Sequence, residues 1–410
     1  MYNIILYLYS FGAWVLSFFD KKVKKMIEGQ RQTAEILQKG ILPQDSVVWF
    51  HAASLGEFEQ GRPLMERLRR EHPEYKILLT FFSPSGYEVR KNYEGADVIC
   101  YLPFDTPGRA RRFLKLAHPE IALFIKYEFW QNYLTQMHHS GVRAYSISSI
   151  FREKQHFFRF GGNPKPLRQF NQLFVQNEKS KNLLATVGVN NVTIVGDTRF
   201  DRVIDICRQA ADIPEVEAFV KDGSPVFICG SSWQPDEEIY IPYFASHKDW
   251  KLIIAPHVVS DENLSRLEQL LKDNGMDCVR YSSLTGKSST AVNSRVLVVD
   301  CYGKLASIYR YATVAAVGGG FGVGIHNVPE AAVYGVPVLF GPNNKKFREA
   351  QALLREGGAV EYTDAASFAQ TMDKFIADKD ALAKAGRIAG DYISNNAGAS
   401  DKCYKAIFAG

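Results

Sequence analysis

The chain reads as an α/β protein made of two Rossmann-like domains that face each other across a cleft. Three observations predict this. A length of 410 residues with 46% hydrophobic composition exceeds what one ordinary core accommodates. From residue 47 onward, short apolar or β-branched runs alternate with amphipathic helical stretches, which is the rhythm of a parallel sheet with helices on both faces. A charged, alanine-containing stretch within about 204–223 interrupts that rhythm, which then restarts. The expected division is 1–22, 23–210, 211–395 and 396–410, the last being a tail or helix able to pack back on the first domain.

The N-terminal MYNIILYLYSFGAWVLSFF carries no charge over 19 residues, and DKKVKK follows it. That is nearly the length of a membrane span, so residues 1–22 are expected to form an anchor helix, retained because the charges flank the wrong end for a signal peptide. Lysines just after it place the remainder on the cytoplasmic side. Its tyrosines and tryptophan also suit a helix lying in the interface.

Strands are expected at SVVWFHA, YKILLTFF, DVICYLP, IALFIKY, RAYSIS, QLFVQN and VTIVGD in the first half. PVFICGS, KLIIAP, RVLVVD, TVAAVGG, VPVLFG and AVEY supply the second. In such sheets, ligands sit beyond the C-terminal strand ends at the switch in strand order.

The first strand empties into HAASLGEFEQG. Ser54 and Glu57 have the spacing of a capping box, in which both side chains satisfy open N–H groups at a helix start. Glu57 is thus a cap or an acid–base group, and local spacing does not decide. KYEFWQNYL places Glu128 at another strand end, with Asn132 four residues on. Paired carboxylates at strand ends suit acid–base work because burial and mutual charge lift a pKa toward neutrality. Taken alone, Glu128 fits an ion pair with Lys126 or a nearby arginine better than a catalytic role. Residues 151–170 interleave Arg152, Lys154, Arg159, Lys165 and Arg168 with Phe151, Phe157, Phe158 and Phe160. Such a loop suits lipid contact, with its aromatics tucked into the core as the other possibility.

In the second half, CGSSWQPDEE places Ser231 and Ser232 between a strand and a helix. Phosphate binding and ordinary capping by Ser232 or Asp236 are equally good accounts of it. His257 stands just past a strand end, and its position is the argument for it. The most informative stretch is VAAVGGGFGVGIHNVPEAAVYGVPVLFGP. Gly318, Gly319, Gly320, Gly322 and Gly324 lead through His326 and Asn327 to a helix bearing Pro329 and Glu330. Glycines let backbone approach a ligand, proline suits a helix start, and a carboxylate there can accept from ribose hydroxyls. The motif comes late in its domain, unlike a dehydrogenase fingerprint, so the nucleotide is not expected to be NAD.

Other classes are excluded by composition. A formal charge of +5 and a pI near 8.7, without an aromatic–basic RNA motif, do not fit a nucleic-acid binder. Six scattered cysteines indicate neither zinc nor a disulfide framework and fit a reducing compartment. No DxD-type acidic cluster points to a metal, and no obligatory protein partner is evident.

HAASLGE, YEFWQN, GDTRFD, GSSWQPDEE and the glycine-rich segment, in this order behind an apolar N-terminus, resemble the 3-deoxy-D-manno-octulosonic acid (Kdo) transferases, membrane-anchored glycosyltransferases of the GT-B fold. The resemblance covers nearly the whole chain. It implies inverting transfer of Kdo from CMP-Kdo, with no cofactor, to the 6′-hydroxyl of a lipid A precursor at the cytoplasmic face of the inner membrane. It also implies catalytic roles for Glu57, as base, and Glu128, with the base's side chain turned toward the acceptor instead of back onto its helix. Ser231, Ser232, His257, Gly319, Gly320, Gly324, His326, Asn327 and Glu330 fall to the donor. Ser54, Gly56, Asn132, Arg152, Arg159 and Arg199 fall to the acceptor or to a phosphate. The chain departs from the family pattern at Arg199, where many members have Lys, and at His257, where they have Arg. The rivals are a GT-B enzyme using a UDP-sugar and a non-catalytic membrane-tethered protein. Protection by CMP but not UDP, and CMP release with a lipid acceptor, discriminate them.

Overall fold

A computed structural model describes residues 2–210, 212–284 and 294–409. The chain forms two compact units, Met1–Arg202 with Ala397–Gly410, and Val203–Asn396. The change of unit falls between Arg202 and Val203, inside the helix Thr198–Gln209. Each unit holds one parallel seven-stranded sheet.

In the first unit the strands are β1 Val47–Ala52, β2 Lys76–Phe81, β3 Val98–Tyr101, β4 Pro119–Ile125, β5 Arg143–Ser149, β6 Gln172–Val175 and β7 Val192–Ile194, in the order β3-β2-β1-β4-β5-β6-β7. The order reverses between β1 and β4, which pair in parallel with His51 opposite Phe124. β1 is buried throughout because both faces of the sheet are covered. Val47 and Trp49 enter one core with Phe113 and Phe124, while Val48, Phe50 and Ala52 enter the other with Phe58 and Leu123. The C-terminal helix Ala399–Phe408 closes that second core with Cys403, Tyr404 and Ile407. Asp201 caps its start, accepting from the N–H groups of Gly398 at 2.5 Å and Ser400 at 2.7 Å.

The second unit has β8 Val226–Ser232, β9 Lys251–Pro256, β10 Cys278–Arg280, β11 Val296–Val298, β12 Val314–Val317, β13 Val338–Phe340 and β14 Ala359–Glu361, in the order β10-β11-β9-β8-β12-β13-β14. Here the switch lies between β8 and β12. β10 has no counterpart in the sequence reading: three half-buried residues at a sheet edge, one of them charged, give no apolar run.

The N-terminus differs from its expectation. The first helix ends at Leu16, a second runs Lys21–Gly40, and the pair is bent by 119°; among the described residues no single helix is long and apolar enough to cross a membrane. Asp20 makes the break by accepting from the N–H groups of Lys22 at 2.7 Å and Val23 at 3.0 Å. The first helix leaves Ile4, Ile5, Leu8 and Phe11 largely exposed.

The loop at 151–170 also departs from the lipid-contact reading. Phe151 and Phe157 are buried, Phe158 packs on the same core, and Phe129 lies within 5.4 Å of the first two rings. Only Phe160 of the four is exposed. Aromatic burial against a ready apolar wall wins over the interface.

Candidate functional site

At the switch point of the first sheet, β1 and β4 each deliver one glutamate. Glu57 lies in the first turn of the helix Leu55–Glu71, and its Oε2 accepts from the Ser54 N–H at 3.0 Å, with Ser54 Oγ at 3.4 Å. The carboxylate is therefore turned back onto its own helix start, contrary to the expected outward orientation, and it closes a capping box. Burial pushes the Glu57 pKa above its ordinary range, and the Glu128 charge adds to this. His51 and the N–H groups of Ser54 and Ala53 oppose the rise without cancelling it.

Glu128 is held by a relay that the sequence reading missed. Its Oε2 accepts from Trp130 Nε1 at 2.5 Å and stands 3.3 Å from His51 Nε2. His51, wholly buried, places Nδ1 2.8 Å from Thr80 Oγ1, which in turn accepts from Trp49 Nε1 at 2.8 Å. An ionised carboxylate only accepts, so His51 Nε2 donates to Glu128, while Nδ1 meets the Thr80 hydroxyl. The signal was present as a histidine inside the otherwise apolar run VVWFHA, but its partners stand 29 residues away on β2 and 77 residues away beyond the end of β4. Between β4 and Glu128, Lys126 has φ of 64°, a left-handed conformation that costs a non-glycine residue about 1–2 kcal/mol. Such strain clusters at functional turns.

The remaining first-unit predictions separate. Gly56 faces open space in the first turn after Ser54. Asn132 is committed elsewhere: its N–H donates to Asp105 Oδ2 at 3.0 Å and its amide to Asn3 Oδ1 at 2.9 Å. Burial pushes Asp105 up to about 6, although it also accepts from the Tyr133 N–H and the Tyr2 hydroxyl. Arg152 and Arg159 are exposed, the former with its guanidinium 5.9 Å from the centre of the Tyr127 ring. Arg199 grips Asp197 through Nε at 2.9 Å and Nη2 at 2.8 Å.

In the second unit the polar groups gather where β8 and β12 end. Ser231 takes φ of 51°, and Ser232 is buried, its hydroxyl donating to Glu237 at 2.7 Å. The helix Gln234–Ser246 is capped by Asp236, whose Oδ2 accepts from the N–H groups of Trp233 and Gly319, both at 3.0 Å. This bond fastens the serine turn to the glycine loop. Asp236 Oδ1 has no partner among the described residues, and burial lifts the acid to about 6.

The glycines answer to geometry. Gly319 has φ of 92°, and a Cβ there would meet Gly324 O at 2.4 Å; at Gly320 it would meet the Gly341 backbone at 2.5 Å. Three rings stack beside them. Trp233 and His257 are 4.9 Å apart, His257 and His326 4.2 Å, and Trp233 Nε1 donates to His326 Nε2 at 3.1 Å. Burial, with help from His257, holds His326 below its ordinary pKa. Gly324, at φ of 104°, lies two residues before His326. Asn327 stands at the N-cap position of a helix of only five residues, Val328–Ala332, makes no capping bond with its side chain, and donates to Glu330 Oε1 at 2.6 Å. Its own Oδ1 is buried without a partner among the described residues, an acceptor open to a ligand donor.

Residues 25–202 match the family described as 3-deoxy-D-manno-octulosonic-acid transferase. The chain is 27% identical over 339 residues to the 3-deoxy-D-manno-octulosonic acid transferase of Aquifex aeolicus, covering 79% of this chain and 86% of that protein. It is 26% identical over 395 residues to the enzyme of the same name from Bordetella pertussis, covering 89% and 87%. Among solved structures, UDP-GlcNAc 2-epimerase from Neisseria meningitidis superposes with a TM-score of 0.62 at 15% identity, over 90% of this chain and all of that one. That likeness concerns the two-domain GT-B-like fold alone. Over residues 25–202, and against curated relatives across most of its length, the chain is similar to the 3-deoxy-D-manno-octulosonic acid transferases, which are glycosyltransferases.

Proposed function

We propose that the chain transfers Kdo from CMP-Kdo to a hydroxyl of a lipid A precursor, with inversion at the anomeric carbon. The observation that carries the reading is the acid pair Glu57–Glu128 at the first sheet's switch point, with Glu57 lifted above its ordinary pKa. A carboxylate raised toward neutrality is both ionised at working pH and basic enough to accept a proton in a transition state. Glu57 takes the acceptor hydroxyl proton as that oxygen bonds to the anomeric carbon, and the electron pair of the breaking bond leaves with the CMP phosphate. His51 and Trp130 hold Glu128 in place, so its charge sustains the basicity of Glu57.

The donor falls to the second unit in this reading. Asn327 and Glu330 face the ribose, the backbone at Gly319 and Gly320 admits the phosphate, and His257 and His326 supply the ring nitrogens beside it. These groups, rather than a resident metal, carry the leaving phosphate's charge in the proposal. The first helix, with exposed Ile4, Ile5, Leu8 and Phe11 and followed by Lys21, Lys22, Lys24 and Lys25, is proposed to lie in the inner-leaflet interface of the inner membrane.

The test is purified full chain with CMP-Kdo and a tetraacylated lipid A precursor, read by product mass. Addition of one or more Kdo units with CMP release is expected. Transfer from a UDP-sugar and none from CMP-Kdo would overturn the donor assignment.

A further inference from the structure

A cavity of about 550 Å³ lies in the first unit, and none of its lining residues belongs to the site described above. Its volume falls in the range of roughly 300–1,000 Å³ typical of small-molecule sites. Its body is apolar: Phe11 and Trp14 come from the first helix, Ile27 and Leu37 from the second, and Phe113 and Leu116 from the helix Pro107–Ala117. Its polar lining is cationic. Arg31, Arg109 and Arg112 reach it and are exposed, and no carboxylate lines it among the described residues. Arg109 donates to Ser10 Oγ at 3.1 Å. Gln30 Nε2, also at the lining, is a buried donor with no partner among the described residues.

We propose that this cavity seats one acyl chain of the acceptor lipid, with an acceptor phosphate held by Arg31, Arg109 and Arg112. An apolar body beneath exposed guanidiniums matches an amphiphile carrying phosphate beside hydrocarbon, and forked donors suit phosphate oxygens. Gln30 Nε2 is placed to donate to the carbonyl of the acyl linkage. The helix roofing the cavity also ties it to the acid pair. Tyr2 donates to Asp105 at 2.6 Å, and Asn3 accepts from Asn132, two residues past the Trp130 that holds Glu128. The same helix exposes the apolar residues proposed to enter the interface, which gives a chain a route into the cavity without crossing water. The inference rests on the proposed acceptor class, and it makes the cavity a determinant of acceptor choice.

The test reads binding apart from transfer. Dodecyl phosphate, kept below its micelle concentration, is titrated into the full chain while Trp14 emission is followed, with Trp14→Phe identifying that signal. Saturable one-to-one binding is expected, with inorganic phosphate giving no response. Arg109→Gln/Arg112→Gln, which alters exposed side chains only, and Ala34→Phe, which fills the cavity, each weaken binding about tenfold or more, as loss of charge-assisted bonds or of chain burial predicts. In the transfer assay the same variants raise the acceptor KM by a similar factor and change kcat much less. Unsaturable binding, an equal response to inorganic phosphate, or wild-type affinity in both variants overturns the proposal. Probe binding without any Kdo transfer would leave an anionic-lipid cavity and refute the transferase reading instead, whereas transfer without probe binding refutes the cavity alone.

Discussion

Glu57→Gln separates the two things this side chain does. Glutamine keeps a carbonyl oxygen for the Ser54 N–H that Glu57 now accepts at 3.0 Å, so the helix start survives and folding stability changes by less than about 1 kcal/mol. What disappears is proton acceptance, worth about 10²–10⁴ in turnover, or roughly 3–5 kcal/mol on the barrier. The pH profile adds a second reading. Because burial and Glu128 raise the Glu57 pKa, activity in the wild type climbs with pH above the ordinary glutamate range, and this limb is absent from the variant's residual rate. Stability moves the opposite way. A carboxyl whose folded pKa exceeds its unfolded one contributes stability at pH below the unfolded value and loses it as pH rises through the folded value, so Glu57→Gln flattens that decline. Product mass from timed reactions, thermal unfolding and CMP protection measure the three quantities. Turnover within a fewfold of wild type would refute the base assignment, and a large loss of stability with CMP protection intact would mark Glu57 as chiefly a cap.

His51→Gln tests the relay: with the stabilising His51 contribution gone, the Glu57 pKa climbs further, so the activity limb shifts to higher pH while CMP protection holds. Asp105→Ala removes the acceptor for the N–H groups of Asn132 and Tyr133 and for Tyr2; stranding two buried donors costs about 2–5 kcal/mol, visible as a lowered unfolding midpoint. Asp236 is raised from 3.8 to about 6, a linkage of about 3 kcal/mol, so between pH 4 and pH 7 the wild type loses stability relative to Asp236→Asn. Parallel unfolding curves for the two proteins across that range would contradict the burial argument.

How much of this was legible in the sequence depends on whether a feature is local. Buried parallel strands announce themselves as β-branched runs, as VVWFHA, KILLTF and VFICG do, because both their faces need apolar side chains. β10 was missed because an edge strand of three half-buried residues lacks that requirement. The N-terminal helix was drawn too long although Asp20, ahead of a lysine-rich amphipathic stretch, is a legible cap; an uncharged run of 19 residues outweighed it. The phenylalanines of 151–170 were ambiguous because their burial depends on Phe129, which lies outside that segment and meets Phe151 and Phe157 only once the sheet assembles. Ser232 was placed at a strand end and Asn132 four residues beyond one, but their commitments to Glu237 and Asp105 are tertiary facts.

The same distinction explains why the capping-box spacing at Ser54 and Glu57 could not choose between structure and chemistry. A cap and a base are not exclusive when the carboxylate's charge has several neighbours. The helix start favours the ionised form by about 0.3–1 kcal/mol and His51 works in the same sense, whereas burial and Glu128 favour the proton and prevail. Holding Glu57 against Ser54 keeps it at a fixed place among these groups, and a fixed place is what lets the opposed contributions settle above the ordinary carboxylate range. The cap is thus part of how the base is tuned: Ser54→Ala leaves the Ser54 N–H bond to Glu57 intact and removes only the hydroxyl at 3.4 Å, whereas replacing Glu57 itself removes the group on which every other contribution acts.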